Sequence, residues 1–256
     1  MVNNLGVQRY SFISLKQIIT RFFFFFYYVC SQTVLMNYFN SDYVQFFKEL
    51  SQNNHKDWFD INRSRYEKNI KFPFKEFTQL AIDSIALLNN DFIGLQAKDC
   101  IFRINRDVRF SKDKQPYKLM CSAIITPNGK KSKAINGIYF EFTPEHVRFY
   151  SGVYEIEKDD LFAVREGICS NLSQFSALIN APEFIATFGH VRGEKNKIIH
   201  PDFRESAQEQ ALIFNKQWYF YVEYPVELLF ENQLLDKLMH AYHVSRPLEQ
   251  FFNQFI

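Results

Sequence analysis

Cysteine is scarce in this sequence: Cys30, Cys100, Cys121 and Cys169 are its only four, and none belongs to a CxxC pair. That spacing excludes a zinc site or redox dithiol of the CxxC type and fits reduced thiols in a cytoplasmic protein. The six histidines are scattered too. His240 and His243 share a helix face, but no third ligand stands at a recognisable spacing, so they read as a polar helix edge and no metal site is expected. No Ser-His-Asp or Cys-His arrangement and no phosphate loop is present, so the residues name neither a reaction nor a cofactor. An apolar run of roughly 20 residues, as a membrane-spanning helix requires, is also missing. No internal repeat or low-complexity linker divides the chain.

What is present begins with aromatic and apolar bulk. Of 256 residues 47% are hydrophobic and 18% aromatic, enough for one sizeable core. The amino terminus stands apart. "RFFFFFYYVC", Arg21 to Cys30, has the length of a signal-peptide apolar region, yet five consecutive phenylalanines without acids or capping residues look like a translated upstream region. Residues 1–35 are therefore read as a non-domain extension from a mis-called start, with Met36 as the physiological start and a signal or anchor as the alternative.

From residue 36 onward the pattern has three blocks. Ser41 is placed to cap a helix carrying Val44, Phe47 and Leu50, and Asp57 to cap a second carrying Trp58, Ile61 and Arg65. The second should stop before Pro73, which disfavours helix at Phe72. A third runs from about 73 to 88, with Phe74, Phe77, Leu80, Ile85 and Leu88 as its apolar face. The period then changes to two: "CIFRI", "LMCSAIIT", "GIYFEFT" and "HVRFYSGV" read as strands of an antiparallel meander, and "TPNGKKSKAIN" as a basic hairpin loop. Helix returns at 158–179, followed by a strand at "QWYFYVEYP" and helices at 226–241 and 247–255. Helical blocks before and after a central sheet predict an α+β fold, one domain over 36–256.

Several stretches stand out together: "NNHKDWF" (53–59), "YEKNIKFP" (66–73), "FRINRDVRFSKDKQPYK" (102–118), "GIYFEF" (137–142), "SGVY" (151–154) and Arg165. Their combination resembles the family known as domain of unknown function 2461, over nearly all of residues 38–224. The resemblance implies no activity. One departure is "NKIIHPDF" (196–203), which takes the place of a Lys-rich turn; "LIFNKQW" (212–218) still resembles the family's segment after that turn.

Charge is unevenly spread. The formal total is +2, but residues 103–133 hold nine cations against Asp107 and Asp113, net +7. Residues 1–35 add +3, which leaves −8 for the rest. A mildly acidic body with one basic segment points to an anionic partner. With "CIFRI" as a strand, Phe102 and Ile104 face inward and Arg103 outward, and residues 106–116 form a loop that re-enters at Tyr117.

Two arrangements satisfy so many cations. Asp107 and Asp113 can tie Arg106, Arg109 and Lys112 into a structural clasp, in which loss of a buried Arg109 pair would be costly. The sharper reading is an anion-binding site of Arg103, Arg106, Arg109, Ser111, Lys112, Lys114 and Lys118, with Tyr117 as a stacking ring. It would suit a phosphate-bearing ligand, a nucleotide or a nucleic-acid backbone. A phosphoryl- or phosphodiester-processing hydrolase using the same cations is the alternative, with Asp107, Asp113 or an outward Glu141 as its carboxylate.

Overall fold

Four phenylalanines set the architecture: Phe140 and Phe142 on one strand, Phe149 on the next and Phe220 on the one after that, all fully buried on one side of one sheet. The computed structural model describes residues 38–131 and 137–256. The expected extension at 1–35 lies outside the described residues. From Asn37 onward the chain forms one compact unit.

Three helices come first: α1 (Asp42–Gln52), α2 (Lys56–Ile61) and α3 (Arg63–Tyr66). A π-helical turn (Glu67–Lys71) leads into α4 (Phe72–Leu88), and α5 (Ala97–Cys100) precedes the sheet. The strands β1 (Cys121–Ile125), β2 (Ile138–Phe142) and β3 (His146–Val153) form a meander. Helices α6 (Lys158–Ser170), α7 (Leu172–Ile179), α8 (Pro182–Phe188) and α9 (Ser206–Glu209) follow, then β4 (Trp218–Pro225) and α10 (Leu234–Phe252). The sheet order is β1-β2-β3-β4, all antiparallel, so the fold is the expected α+β meander between helical blocks.

Helices cover one face. Phe74 and Phe77 of α4 meet Phe140 and Phe142, and Tyr43 of α1 donates its hydroxyl to the Phe142 carbonyl at 2.7 Å. Phe184 and Phe188 of α8 press on Phe220, and Phe252 of α10 on Trp218. These contacts bury large rings at edge and tilted angles, the geometry aromatic quadrupoles favour. On the outside, Arg65 joins α3 to α1 through Asp42 at 2.5 Å and Glu49 at 2.6 Å.

The local expectations fail in instructive ways. Ser41 is already helical, and Asn40 caps in its place, its Oδ1 accepting from Asp42 N at 2.9 Å. For α2 the cap is His55, not Asp57. The stop before Pro73 does not occur. Burial of Tyr66, Ile70, Phe74 and Phe77 carries the helix on, and the widened turn, with Phe72 N–H reaching Glu67 O, accommodates the missing proline donor. Helix 158–179 breaks at Asn171, and Leu88 is exposed. In α10, Pro247 is spanned because Tyr242, Val244, Leu248, Phe251 and Phe252 are buried on both sides of it; residues 226–230 are a 3-10 turn.

"CIFRI" is not a strand of the sheet. Cys100 ends α5, and only Ile101 bridges Ala123. Continuing that register would set Asn105 opposite Leu119, whereas it meets Tyr117, so the ladder is broken by a two-residue slip.

One carboxylate lies inside this core. Glu249 of α10 is fully buried and accepts from Ser151 of β3, from Ser245 at 2.7 Å and from Arg246 at 2.9 Å. Burial pushes its pKa above the usual carboxylate value despite those donors. An acid raised in the folded state contributes stability below its unfolded pKa and loses it as pH rises through the folded one. Glu249→Gln keeps most of the hydrogen bonds and removes the titration. Thermal melts should therefore show the variant gaining on the parent as pH climbs from the acid side past that raised value; a difference constant with pH would contradict this.

Candidate functional site

The basic segment folds as a loop closed at its base. Asn105 bridges Tyr117, Arg106 N donates to Pro116 O at 2.8 Å, and Lys118 N donates to Ile104 O at 2.8 Å. A side chain from the α1–α2 connection completes the closure. Asn54 Nδ2 donates to Tyr117 O at 2.9 Å and its Oδ1 accepts from Tyr117 N at 3.1 Å, so one amide imitates a strand neighbour. Phe59 of α2 stacks on the Tyr117 ring at 4.1 Å and 17°. That ring is 5% exposed, which withdraws its face from the stacking role expected of it.

Within the loop both aspartates are spent locally. Arg106 pairs with Asp113 at 2.5 Å and also reaches Gln115 O; Asp113 in turn accepts from Gln115 N at 3.0 Å. Asp107 is held by Arg109 through Nη2 at 2.6 Å and Nε at 3.0 Å. The Arg109 guanidinium lowers the Asp107 pKa, and the Gln115 N–H followed by Arg106 lowers that of Asp113. Lys114 folds back on the carbonyls of Val108 at 3.0 Å and Arg109 at 3.5 Å. The Arg109–Asp107 pair is solvent-exposed at 76% and 45%, so it lacks the buried cost foreseen for it.

The other cations differ. Arg103 and Lys112 are exposed and form no ion pair with a described carboxylate. Lys118 is half-buried, its ammonium 5.3 Å from the Phe102 ring centroid. Burial first, and then the charge of Arg103, lower its pKa below the ordinary lysine value. Ser111 leaves its hydroxyl without a hydrogen bond to the described residues. The loop thus brings together Arg103, Lys118 and a clasp of Arg106, Asp107, Arg109, Asp113 and Lys114.

Phe102 links the loop to a feature that the linear sequence does not assemble. Its ring lies 6.1 Å from Tyr139, on the sheet face opposite the helices. There the register aligns Tyr139, Tyr150 and Tyr221 in one row and Ser122, Glu141, Arg148 and Glu223 in the next. Glu141, expected outward and solvated, is 9% exposed. It accepts from Tyr150 at 2.9 Å and Tyr139 at 3.2 Å, while Arg148 joins it to Glu223. Arg192 caps Tyr221 at 4.1 Å. His146 Nε2 is buried without a hydrogen bond, 3.6 Å from Glu141 Oε1. The signal for this layer was the strict alternation in "HVRFY" and "WYFYVE", which puts His146, Arg148 and Tyr150, and Tyr219, Tyr221 and Glu223, on one face each.

Chemically, the three carboxylates proposed to serve hydrolysis do not gather at one point: Asp107 and Asp113 are each paired with an arginine on the loop and Glu141 is on the sheet. Among the described residues no three metal-capable side chains gather. Cys100 and Cys121 are buried, which pushes their thiols up to about 12 and makes them poor nucleophiles. The basic hairpin after β1 leaves the opposite end of that strand from the loop, and Lys130 there is engaged by the carbonyls of Lys98 and Ile101. Lys133 lies outside the described residues.

The stretches that carry the family resemblance also acquire structural reasons. Gly152 has φ +99°, and a Cβ there would sit 2.2 Å from Trp218 O. Arg165 is buried with Nη2 on Asn215 O at 2.9 Å, while its Nε lacks a partner. "NNHKDWF" supplies both Asn54 and Phe59 to "QPYK". Asn54→Ala therefore leaves a buried N–H and C=O of Tyr117 unpaired and should cost about 1–3 kcal/mol. Urea denaturation measures it; a loss within error would show that Asn54 is not the clamp.

No helix among the described residues is long and apolar enough to cross a membrane. No curated protein matches the chain significantly. A family model matches residues 42–251, which run from α1 into the last turn of α10 and contain the clamp, the basic loop and both sheet faces. The chain belongs to the conserved hypothetical protein family DUF2461.

Proposed function

We propose that this protein is an anion-binding domain whose ligand carries phosphate and is held at the base of the 106–116 loop by Arg103 and Lys118. Ser111 and Lys112 at the loop tip are the further contacts. One observation carries this reading: two cations, one of them half-buried, lie close enough for the charge of one to act on the other, and neither forms an ion pair with a described carboxylate. Like charges held together cost free energy until an opposite charge joins them. Arg103 is also felt by Asp107, but that carboxylate is already taken by Arg109. Compensation must come from outside the loop. Clasp and site then coexist, with Arg106, Arg109 and Lys114 fixing the shape that presents Arg103 and Lys118. A guanidinium fork beside an ammonium suits the tetrahedral oxygens of phosphate. Lys130 of the hairpin is already engaged by the carbonyls of Lys98 and Ile101, which favours a small footprint over a broad basic face.

Isothermal titration with inorganic polyphosphate at low salt tests the reading. Arg103→Ala and Lys118→Met should each weaken binding about tenfold or more, the worth of a hydrogen bond to a charged group. Arg109→Ala should change it little, and Arg103→Ala should leave the melting temperature nearly unchanged. Binding should also fade as pH approaches the ordinary lysine range, because Lys118 gives up its proton below it. In that window the unfolded chain holds a proton the folded one has lost, so the unliganded protein gains stability with pH, and Lys118→Met flattens the gain. Absence of saturable binding by polyphosphate, nucleotides and oligonucleotides alike at low salt would sink the proposal.

A further inference from the structure

The loop tip carries a side chain that neither the clasp nor the anion site accounts for. Phe110 is 95% exposed, more than any other large apolar side chain described, in a protein that packs its other loop ring, Tyr117, to 5%. It sits between Arg109 and Ser111, with the Arg109 guanidinium 5.8 Å from its ring centroid. The backbone around it is held from both sides. Lys114 binds the carbonyls of Val108 and Arg109, Asp107 accepts from Arg109 N at 3.3 Å, and Arg106 spans to Asp113. A phenyl ring left in water on a braced, cationic loop is presented rather than buried.

We propose that the 106–116 loop contacts single-stranded nucleic acid, Phe110 stacking on an unpaired base while Arg103, Lys112 and Lys118 meet the neighbouring phosphates. This rests on the anion-binding reading and names its ligand class. A ligand reaching from the cations at the loop base to the ring at its tip must carry anions and flat aromatic faces along one chain, and a nucleotide strand does so at every residue. Bases inside a duplex are already stacked on their neighbours, so the accessible face belongs to single strands. An anionic lipid surface fits less well. Phe110 is the only large apolar side chain exposed on the loop, and a single ring offers little area for bilayer insertion, whereas it is a complete partner for one base.

Fluorescence anisotropy at low salt tests this with labelled eight-residue oligouridine and oligothymidine, an abasic strand of equal length, and phosphatidylserine vesicles. The wild-type protein should bind both oligonucleotides more tightly than the abasic strand. Phe110→Ala should weaken oligonucleotide binding roughly 5- to 100-fold, the range for losing one stacked base, and leave abasic binding unchanged; Phe110→Trp should restore it. Because the ring is exposed, neither variant threatens the fold, and circular dichroism melts verify that. If Phe110→Ala binds oligonucleotide and abasic strand as the parent does, while Arg103→Ala loses both, anion binding stands and base stacking falls. If no strand binds while polyphosphate does, the nucleic-acid reading falls and anion binding stands; if polyphosphate fails as well, both fall. Vesicle binding that depends on Phe110, with oligonucleotide binding that does not, would replace the nucleic acid with a lipid surface.

Discussion

The apolar face of a single four-stranded sheet has to be covered, and that requirement organises the rest of the chain. Phe140, Phe142, Phe149 and Phe220 all point to one side; α4, α8 and α10 bring rings to meet Phe140, Phe142, Phe220 and Trp218, and Tyr43 of α1 hydrogen-bonds the Phe142 carbonyl. Burial of several such rings, each worth about 1.5–3 kcal/mol, outweighs local preferences. It carries the helices through Pro73 and Pro247 and holds the carboxyl of Glu249 among hydrogen-bond donors.

With the helices committed to one face, the other had to be finished by the strands themselves. It is closed by cross-strand rows: tyrosines beside tyrosines, and Glu141, Arg148 and Glu223 in alternating sign. Such pairs are the elementary units of sheet stabilisation. Their hydrogen bonds are made within the layer, which makes it a stiff platform. Phe102 and Lys118 attach the basic loop to its edge.

The loop itself shows how a concentrated charge is divided between support and presentation. Each aspartate secures one arginine, and Lys114 secures the backbone, so the turn keeps its form without a core of its own. Arg103, Lys112, Lys118 and Phe110 are what the scaffold leaves over. Loops positioned by a rigid base are where binding residues concentrate, and here the base is the amide of Asn54 and the ring of Phe59.

Much of this was legible in the residues alone. Alternation in "GIYFEFT", "HVRFYSGV" and "WYFYVEYP" fixed three of the four strands, because a period of two commits each side chain to a face before any partner is known. Charge counting singled out residues 103–118, and neighbouring aspartates announced the clasp, since ion pairs two to seven residues apart are local. Long-range pairing lay beyond the sequence. "CIFRI" reads as a strand, but whether it pairs depends on the register of Cys121–Ile125, and a two-residue slip leaves only isolated bridges. Tyr117 looked free beside its cations until Phe59, 58 positions earlier, was brought onto its ring. Glu141 looked solvated until two tyrosines, Tyr139 and Tyr150, closed over it. Sequence by itself determined the faces of the elements and the location of the charge. Only the tertiary structure decided which cations and rings remained open, because satisfying a buried or charged group takes partners that chain connectivity does not bring near.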